Sequence, residues 1–246
     1  MSELFSLSDQ METQNHFQTP PRYIDVLALC SGMRPVVMID YGGKMPELQA
    51  RLLSLLQLLQ EGLPVFNDLR VMVIEDMIYL INVTSLPKWL SSEPGLFFVD
   101  LEQDPPQMLQ QSKESDLGMQ LGSIQKLFSS TFPLDGSNND ATSQSSLLID
   151  LTCCLHDTKV TIPTLNGWLL DYPVVYLFGT DHIEEAIYNL STKSLRIFKV
   201  LVQRSGTTVE DSHLEELTSF SVPYDLSMGG SKEVWAEAFM ERMSSR

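Results

Sequence analysis

The sequence VVMID at Val36–Asp40 decides the fold class together with two similar runs, LFFVD at Leu96–Asp100 and LLID at Leu147–Asp150. Each is a short apolar run that ends in an aspartate, as is typical of a buried strand at the point where it leaves a sheet. In open α/β sheets, ligands bind at the carboxyl ends of parallel strands. If the three strands are parallel neighbours, their closing carboxylates meet at one edge.

The three closing residues, Asp40, Asp100 and Asp150, are therefore the candidate catalytic residues. Carboxylates that converge repel one another unless a cation neutralises them, and such a cluster suits a Mg²⁺- or Mn²⁺-dependent reaction. The alternative is that each aspartate ends its strand by accepting hydrogen bonds from nearby backbone amides.

Further apolar runs complete the predicted sheet. Val71–Ile74 and Met77–Val83 flank two acidic residues, a spacing typical of a hairpin, and Pro173–Phe178 reads as another buried strand. Helical patterns alternate with these strands. We predict an α/β fold with one mixed, mostly buried sheet of six or seven strands and helices packed on it.

Two helices are predicted in the last third of the chain. The first begins near Asp181, which has the spacing of a capping box with Glu184, and four residues are assigned to its buried side: Ile183, Ala186, Ile187 and Leu190. The second spans Ser231–Met243.

The second helix carries Trp235, Phe239 and Met243 at successive i+4 spacings. This stripe is a candidate partner-binding surface. The alternative is that a terminal helix docks on its own domain.

Composition along the chain predicts the domain organisation. Residues 1 to about 19 are polar and are followed by Pro20-Pro21, which predicts a disordered N-terminal arm over residues 1–20. Residues 21–246 are predicted to form a single α/β domain with a long flexible loop at 131–146, where the composition is typical of turns and linkers. A domain boundary in that loop is the alternative.

The charge balance excludes two classes of partner. The chain has 16 Lys and Arg residues against 32 Asp and Glu, and its net charge is -16. Nucleic acid and anionic lipid attract clusters of basic residues, and no two basic residues are adjacent here, so we expect binding to neither. Three cysteines and no signal-peptide pattern predict a soluble cytoplasmic or nuclear protein rather than a secreted one. An acidic surface fits a protein partner with a basic face.

Gly42-Gly43-Lys44 follows the first strand and precedes a helix, which is the local setting of phosphate-binding loops. Lys44 is therefore a candidate anion-binding residue. Neither the Walker pattern nor a dinucleotide fingerprint surrounds it, so a plain turn is the alternative. The spacing of cysteines and histidines indicates no zinc site, and the sequence identifies no cofactor.

The segment Thr161–Phe178, which reads TIPTLNGWLLDYPVVYLF, resembles the uncharacterised animal protein family of the chromosome 1 open reading frame 74 product. The resemblance extends over about Tyr23–Val202, and LNGWLL and YPVVY are its specific part. It implies a single intracellular domain of unknown function and assigns no catalytic residue.

Two functions remain open on the sequence alone. The leading hypothesis is a non-catalytic protein-interaction or regulatory domain. It rests on the acidic composition, on the apolar C-terminal stripe of Trp235, Phe239 and Met243, and on the lack of a complete catalytic constellation. The alternative is a Mg²⁺- or Mn²⁺-dependent hydrolase or phosphotransferase that uses the strand-end aspartates, with Lys44 binding an anionic substrate. The sequence does not determine whether the chain is an enzyme, its partner or its oligomeric state.

Overall fold

The structure is a computed structural model that describes residues 5–10, 23–40, 42–92, 95–110, 115–134, 146–203, 214–228 and 232–245, the first of these ranges by its backbone only. By their internal contacts the residues form two compact units. Unit 1 comprises Met1–Phe17, Pro94–Met119 and Lys159–Arg246, and unit 2 comprises Gln18–Glu93 and Gln120–Thr158. The prediction of one domain over 21–246 concerns how the two units combine and stays a prediction.

The strands are β1 (Phe5–Gln10), β2 (Val36–Ile39), β3 (Leu69–Ile74), β4 (Met77–Asn82), β5 (Phe97–Asp100), β6 (Gln107–Leu109), β7 (Leu148–Asp150), β8 (Val174–Leu177), β9 (Leu195–Gln203) and β10 (Leu214–Pro223). The α-helices are α1 (Tyr23–Ser31), α2 (Glu47–Gly62), α3 (Leu86–Ser91), α4 (Asp116–Thr131), α5 (Ile162–Leu169), α6 (Ile183–Ser191) and α7 (Ala236–Ser244).

Unit 2 contains one four-stranded sheet with the strand order β2-β4-β3-β7. Strand β4 is antiparallel to both of its neighbours, whereas β3 and β7 are parallel. The predicted hairpin is confirmed as β3–β4, and Glu75 in its two-residue turn adopts a φ of 52°. Strands β2, β3 and β7 consequently run in the same direction and end at the same edge.

The core of unit 2 forms between this sheet and two helices, because the apolar runs of the strands and one side of each helix are buried together. Its members include Leu29 of α1, Leu48 and Leu56 of α2, and Val37 and Val71 of the sheet. Burial of such side chains supplies most of the driving force for folding.

Unit 1 contains two three-stranded sheets. In one, β5 pairs antiparallel with β6 and parallel with β8; in the other, β9 pairs antiparallel with β1 and β10. Helix α5 packs against β8. Strand β1 lies within the predicted N-terminal arm, most of which falls outside the described residues.

The α/β class is confirmed, but the prediction of one sheet of six or seven strands is wrong. The strands that the structure describes form three sheets of three, four and three strands. A buried strand has the same apolar composition whichever sheet it joins, and pairs such as β5–β8 join segments far apart in the sequence. Most of the predicted loop at 131–146 lies outside the described residues, so that prediction is untested.

Candidate functional site

Two of the three strand-end aspartates lie at the ends of the two outer strands of the same sheet, β2 and β7, with β4 and β3 between them. Asp40 follows β2 and Asp150 ends β7. The register row that contains Asp150 crosses Val73 and Ile78 and reaches Ile39, the residue before Asp40. Three strand spacings separate the two strands, or about 14 Å. Oxygen ligands of one Mg²⁺ lie about 2 Å from it. The condition on which the proposed metal site depends, that the carboxylates converge, is therefore not met by Asp40 and Asp150, and both side chains are exposed.

Asp150 acts as the strand-end cap that the sequence left as the alternative. Its Oδ1 accepts a hydrogen bond from the Thr152 backbone N–H at 2.9 Å. Hydrogen bonds from the Thr152 side chain and backbone lower the pKa of Asp150. These bonds favour the charged carboxylate without any metal ion.

Asp100, the third predicted residue, belongs to unit 1 and ends β5. Its Oδ1 accepts the Glu102 backbone N–H at 3.0 Å, so it too caps its strand. Burial is the largest influence on the carboxyl group and raises the pKa of Asp100, while the hydrogen bond from Glu102 opposes the shift. A raised carboxyl pKa is a feature of some acid catalysts, but structural carboxylates also show it.

Glu102 joins the ends of β5 and β8. Its Oε1 accepts a hydrogen bond from the Gly179 backbone N–H at 2.8 Å, and its Oε2 lies 4.0 Å from His182 Nε2. A Cβ atom on Gly179 would lie 3.3 Å from Glu102 Oε1, which fits the absence of a side chain there. Within the described ranges, no group of three or more His, Cys, Asp or Glu side chains could hold a metal ion.

Lys44, the candidate anion-binding residue, is exposed in the loop between β2 and α2. Its carbonyl oxygen accepts the Leu48 backbone N–H at 2.8 Å, and Gly42 before it adopts a φ of 95°. These features describe a turn that leads into α2. The role of Lys44 in anion binding stays a prediction.

A groove of about 310 Å³ lies in unit 1, lined by Pro105, Pro106, Lys193, Pro223, Asp225 and Leu226. Lys193 Nζ lies 3.5 Å from Asp225 Oδ2, so the two charged groups in the wall form an ion pair with each other. The remaining lining is apolar. The groove therefore gives no reason to expect a charged ligand.

The predicted stripe, formed by Trp235 before α7 and by Phe239 and Met243 within it, is buried. This burial corrects its assignment as a candidate partner-binding surface. Trp235, Phe239 and Met243 are at most 2% exposed. The Trp235 ring meets the Phe198 and Phe220 rings edge to face, with centroids 4.9 and 5.2 Å apart. The aromatic residues of β9 and β10 provide an apolar surface that buries this stripe, so the terminal helix docks on its own unit.

The segment that carries the family resemblance forms a close contact between α5 and β8. Thr164 Oγ1 donates to the Tyr176 carbonyl at 2.8 Å, and Thr161 Oγ1 donates to the Phe178 carbonyl at 3.1 Å. A Cβ atom on Gly167 would lie only 2.9 Å from Val175 Cγ1. LNGW therefore holds the helix unusually near the strand, which is a packing role.

Helix α6 presents the largest departure from the sequence prediction. Ala186 is buried as expected, but Ile183 is 42% exposed and Ile187 is 62% exposed. Tyr188 beside them is 65% exposed. The assignment of Ile183 and Ile187 to the buried side is therefore wrong, and the helix shows three large apolar side chains to solvent.

A buried polar residue fixes this orientation. Asn189 is 6% exposed, and its Nδ2 donates to the Leu101 carbonyl at 2.9 Å and to the Gln103 carbonyl at 3.1 Å. Burying an amide without partners is costly, so these bonds hold Asn189 inward and the isoleucines outward. The candidate functional site is the exposed side of α6, formed by Ile183, Glu184, Glu185, Ile187 and Tyr188, which we call the α6 face.

Comparison with known proteins gives a family but no function. A family model described as a domain of unknown function, DUF4504, matches residues 11–246. No curated protein and no solved structure matches the chain. In the part of the chain that the structure describes, no helix is both long and apolar enough to span a bilayer.

Proposed function

We propose that this chain, which belongs to the DUF4504 family, is a non-catalytic protein-interaction domain whose contact surface is the α6 face. The observation that carries the proposal is the exposure of Ile183, Ile187 and Tyr188 on one short helix. Single exposed apolar residues are ordinary, but a cluster of large ones marks an interaction site more often than not. The resemblance of Thr161–Phe178 supports the narrower assignment to the chromosome 1 open reading frame 74 family.

The arrangement of the α6 face suits a partner. In a helix, residues four apart are neighbours, so Ile183 and Ile187 form one row and Glu184 and Tyr188 form the next. Burial of the exposed fractions of Ile183, Ile187 and Tyr188 would contribute about 3 to 5 kcal/mol. That amount anchors an interface without making it permanent, as expected of a transient complex.

The Asn189 hydrogen bonds support the same function. Because they hold the backbone of α6 to the loop after β5, the apolar side chains stand on a fixed element rather than a loose one. Little conformational entropy is then lost when a partner binds, because the surface is already ordered, and this favours binding. The metal-dependent alternative has no comparable support, since Asp40 and Asp150 end strands about 14 Å apart.

The test compares apolar positions of similar exposure on two helices. The double variant I187S/Y188S removes the anchors of the α6 face, and the control L58S removes a side chain of α2 that is 66% exposed. Affinity capture from cells is followed by reconstitution with each purified candidate partner. We expect the unmodified chain and L58S to bind the same partner, and I187S/Y188S to lose at least tenfold in affinity.

Surface substitutions of this kind change folding stability by less than about 0.5 kcal/mol, so thermal melting should confirm that both variants are folded. A purified partner that binds I187S/Y188S as tightly as the unmodified protein would refute the proposed surface. An interaction lost equally in L58S would refute it as well.

A further inference from the structure

The charges of α6 restrict what the α6 face can bind. Glu184 and Glu185 are exposed, and the helix from Ile183 to Ser191 contains no Lys, Arg or His. The nearest Lys or Arg on either side of α6 in the sequence, Lys159 and Lys193, form ion pairs with Asp181 and Asp225. Glu184 shares a row with Tyr188, next to the row of Ile183 and Ile187. Any partner that covers the apolar side chains therefore also covers a carboxylate.

We infer that the partner segment is a basic amphipathic helix, an inference that rests on the proposed function of the α6 face. Its apolar residues, three and four positions apart, would pack against Ile183, Ile187 and Tyr188. Lys or Arg residues beside that apolar stripe would face Glu184 and Glu185, because complementary charges guide association and reject wrong partners.

Two other occupants fit the surface less well. A second copy of the chain, docked symmetrically through α6, would bring four carboxylates, Glu184 and Glu185 of each copy, into one interface without any Lys or Arg from either helix, and each copy has a net charge of -16. An extended peptide would gain no main-chain hydrogen bonds, because the backbone groups within a helix bond to one another. A helix can pack its ridges against α6 without needing such bonds.

The test uses two designed peptides of about 18 residues that share a leucine stripe at helical spacing. One has Lys at the positions beside the stripe, and the other has Glu at those positions. Each is labelled, and its binding to the full chain is measured by fluorescence anisotropy at low and high salt. We expect the basic peptide to bind and the acidic peptide not to bind.

Two pairs of variants separate specific contact from general attraction to an acidic protein. E184Q/E185Q and E47Q/E61Q each remove two exposed carboxylates, the first pair from α6 and the second from α2. We expect E184Q/E185Q to weaken the basic peptide about fivefold and to reduce its salt dependence. E47Q/E61Q should leave the affinity unchanged within about twofold.

The apolar half of the contact is tested in the same assay. I187S should weaken the basic peptide about tenfold, since the exposed part of that side chain accounts for roughly this factor, and L58S should not. Equal binding of both peptides, or equal weakening by E47Q/E61Q, would overturn the inference. So would self-association of the chain, seen by sedimentation, that I187S abolishes.

The results also distinguish this inference from the function on which it rests. If a natural partner depends on Ile187 and Tyr188 but docks through a neutral or acidic segment, the interaction surface stands and the inference about its partner fails. If a reconstituted natural partner ignores I187S/Y188S, the proposed function itself fails, whichever peptide binds.

Discussion

Substitution of Gly167 by alanine should destabilise unit 1, although alanine is the better helix former. The new Cβ atom would lie 2.9 Å from Val175 Cγ1 and 3.4 Å from both Val175 Cβ and Cγ2. Val175 is completely buried and β-branched, so it has few other rotamers to adopt. The hydrogen bonds from Thr161 and Thr164 to the strand oppose any retreat of α5.

The magnitude follows from two opposing effects. Replacing glycine by alanine inside a helix stabilises it by about 1 kcal/mol, whereas forcing a methyl group into a filled core costs about 1 to 3 kcal/mol. Because neither contact surface can move freely, we expect a net loss of about 1 to 2 kcal/mol. For a chain of this length the melting temperature should fall by roughly 2 to 8 °C.

Gly122 in α4 is the matched control, because nothing lies within 4 Å of the position that its Cβ would occupy. G122A should therefore stabilise the protein by about 0.5 to 1 kcal/mol. Both variants are measured by urea unfolding, which is followed through the fluorescence of the buried tryptophans: Trp168 and Trp235 in unit 1, where G167A lies, and Trp89 in unit 2, where G122A lies.

The double variant G167A/V175A tests the cause directly. V175A alone should cost about 2 kcal/mol through lost burial, but the added methyl of G167A would fill part of the space it leaves. We expect a favourable coupling of at least 1 kcal/mol between the two substitutions. A stabilised G167A, or additive effects in the double variant, would refute the close-contact argument.

Three further substitutions probe unit 1. D171N should lower the free energy of unfolding in urea by about 3 kcal/mol, because it leaves the Arg242 guanidinium, 3.2 Å away and largely buried, beside a neutral amide; Asn tolerates the φ of 61° at this position, so an unchanged stability would contradict the ion-pair argument. Burial raises the pKa of Tyr176 from 10.0 to about 12, so the stability that is present below pH 10 should fall as the pH rises toward 12. We expect the urea midpoint, measured from about pH 8.5 to about pH 11.5, to decrease less with pH in Y176F than in the unmodified chain. Y176F should also cost about 1 kcal/mol at neutral pH through the lost hydrogen bond to the Ser221 carbonyl. Burial raises the pKa of Asp100 above 3.8, because it disfavours the charged carboxylate in the folded chain, so the folded chain gains stability in acid and loses it as the pH rises through the folded-state pKa. D100N should therefore be more stable than the unmodified chain at pH 7, by less than about 1 kcal/mol. A gain that persists unchanged at pH 3 would argue against this cause.

Local patterns predicted many of the strands but not their partners, and they did not predict β1 or β6. The apolar runs of β2, β5, β7 and β8 identify buried strands, and two acidic residues between β3 and β4 identify a hairpin, because these signals lie within a few residues of each other. The choice between one large sheet and three small ones depends on pairings between distant segments. For the same reason, no local pattern showed that Asp40 and Asp150 would lie across the width of a sheet.

The buried side of α6 shows the limit of periodicity most clearly. Its sequence allows Ile183 and Ile187 on the inside, and an apolar pattern alone favours that choice. Asn189 reverses it, because the amide finds its two acceptors at Leu101 and Gln103, more than 80 residues earlier in the chain. A polar residue that can be fully hydrogen-bonded is buried, and two isoleucines are left exposed.

The part of the sequence by which the family resemblance is recognised needs no catalytic explanation. In Thr161–Phe178, two threonine hydroxyls bond to strand carbonyls, Gly167 permits the closest approach, and Asp171 turns the chain with a φ of 61° and binds Arg242. Each of these roles restricts the residue type on physical grounds alone. The distinctive sequence of this segment therefore indicates a helix–strand contact that tolerates few residue types. The chain then continues from β8 into α6, so the contact fixes the start of the element on which the proposed binding surface stands.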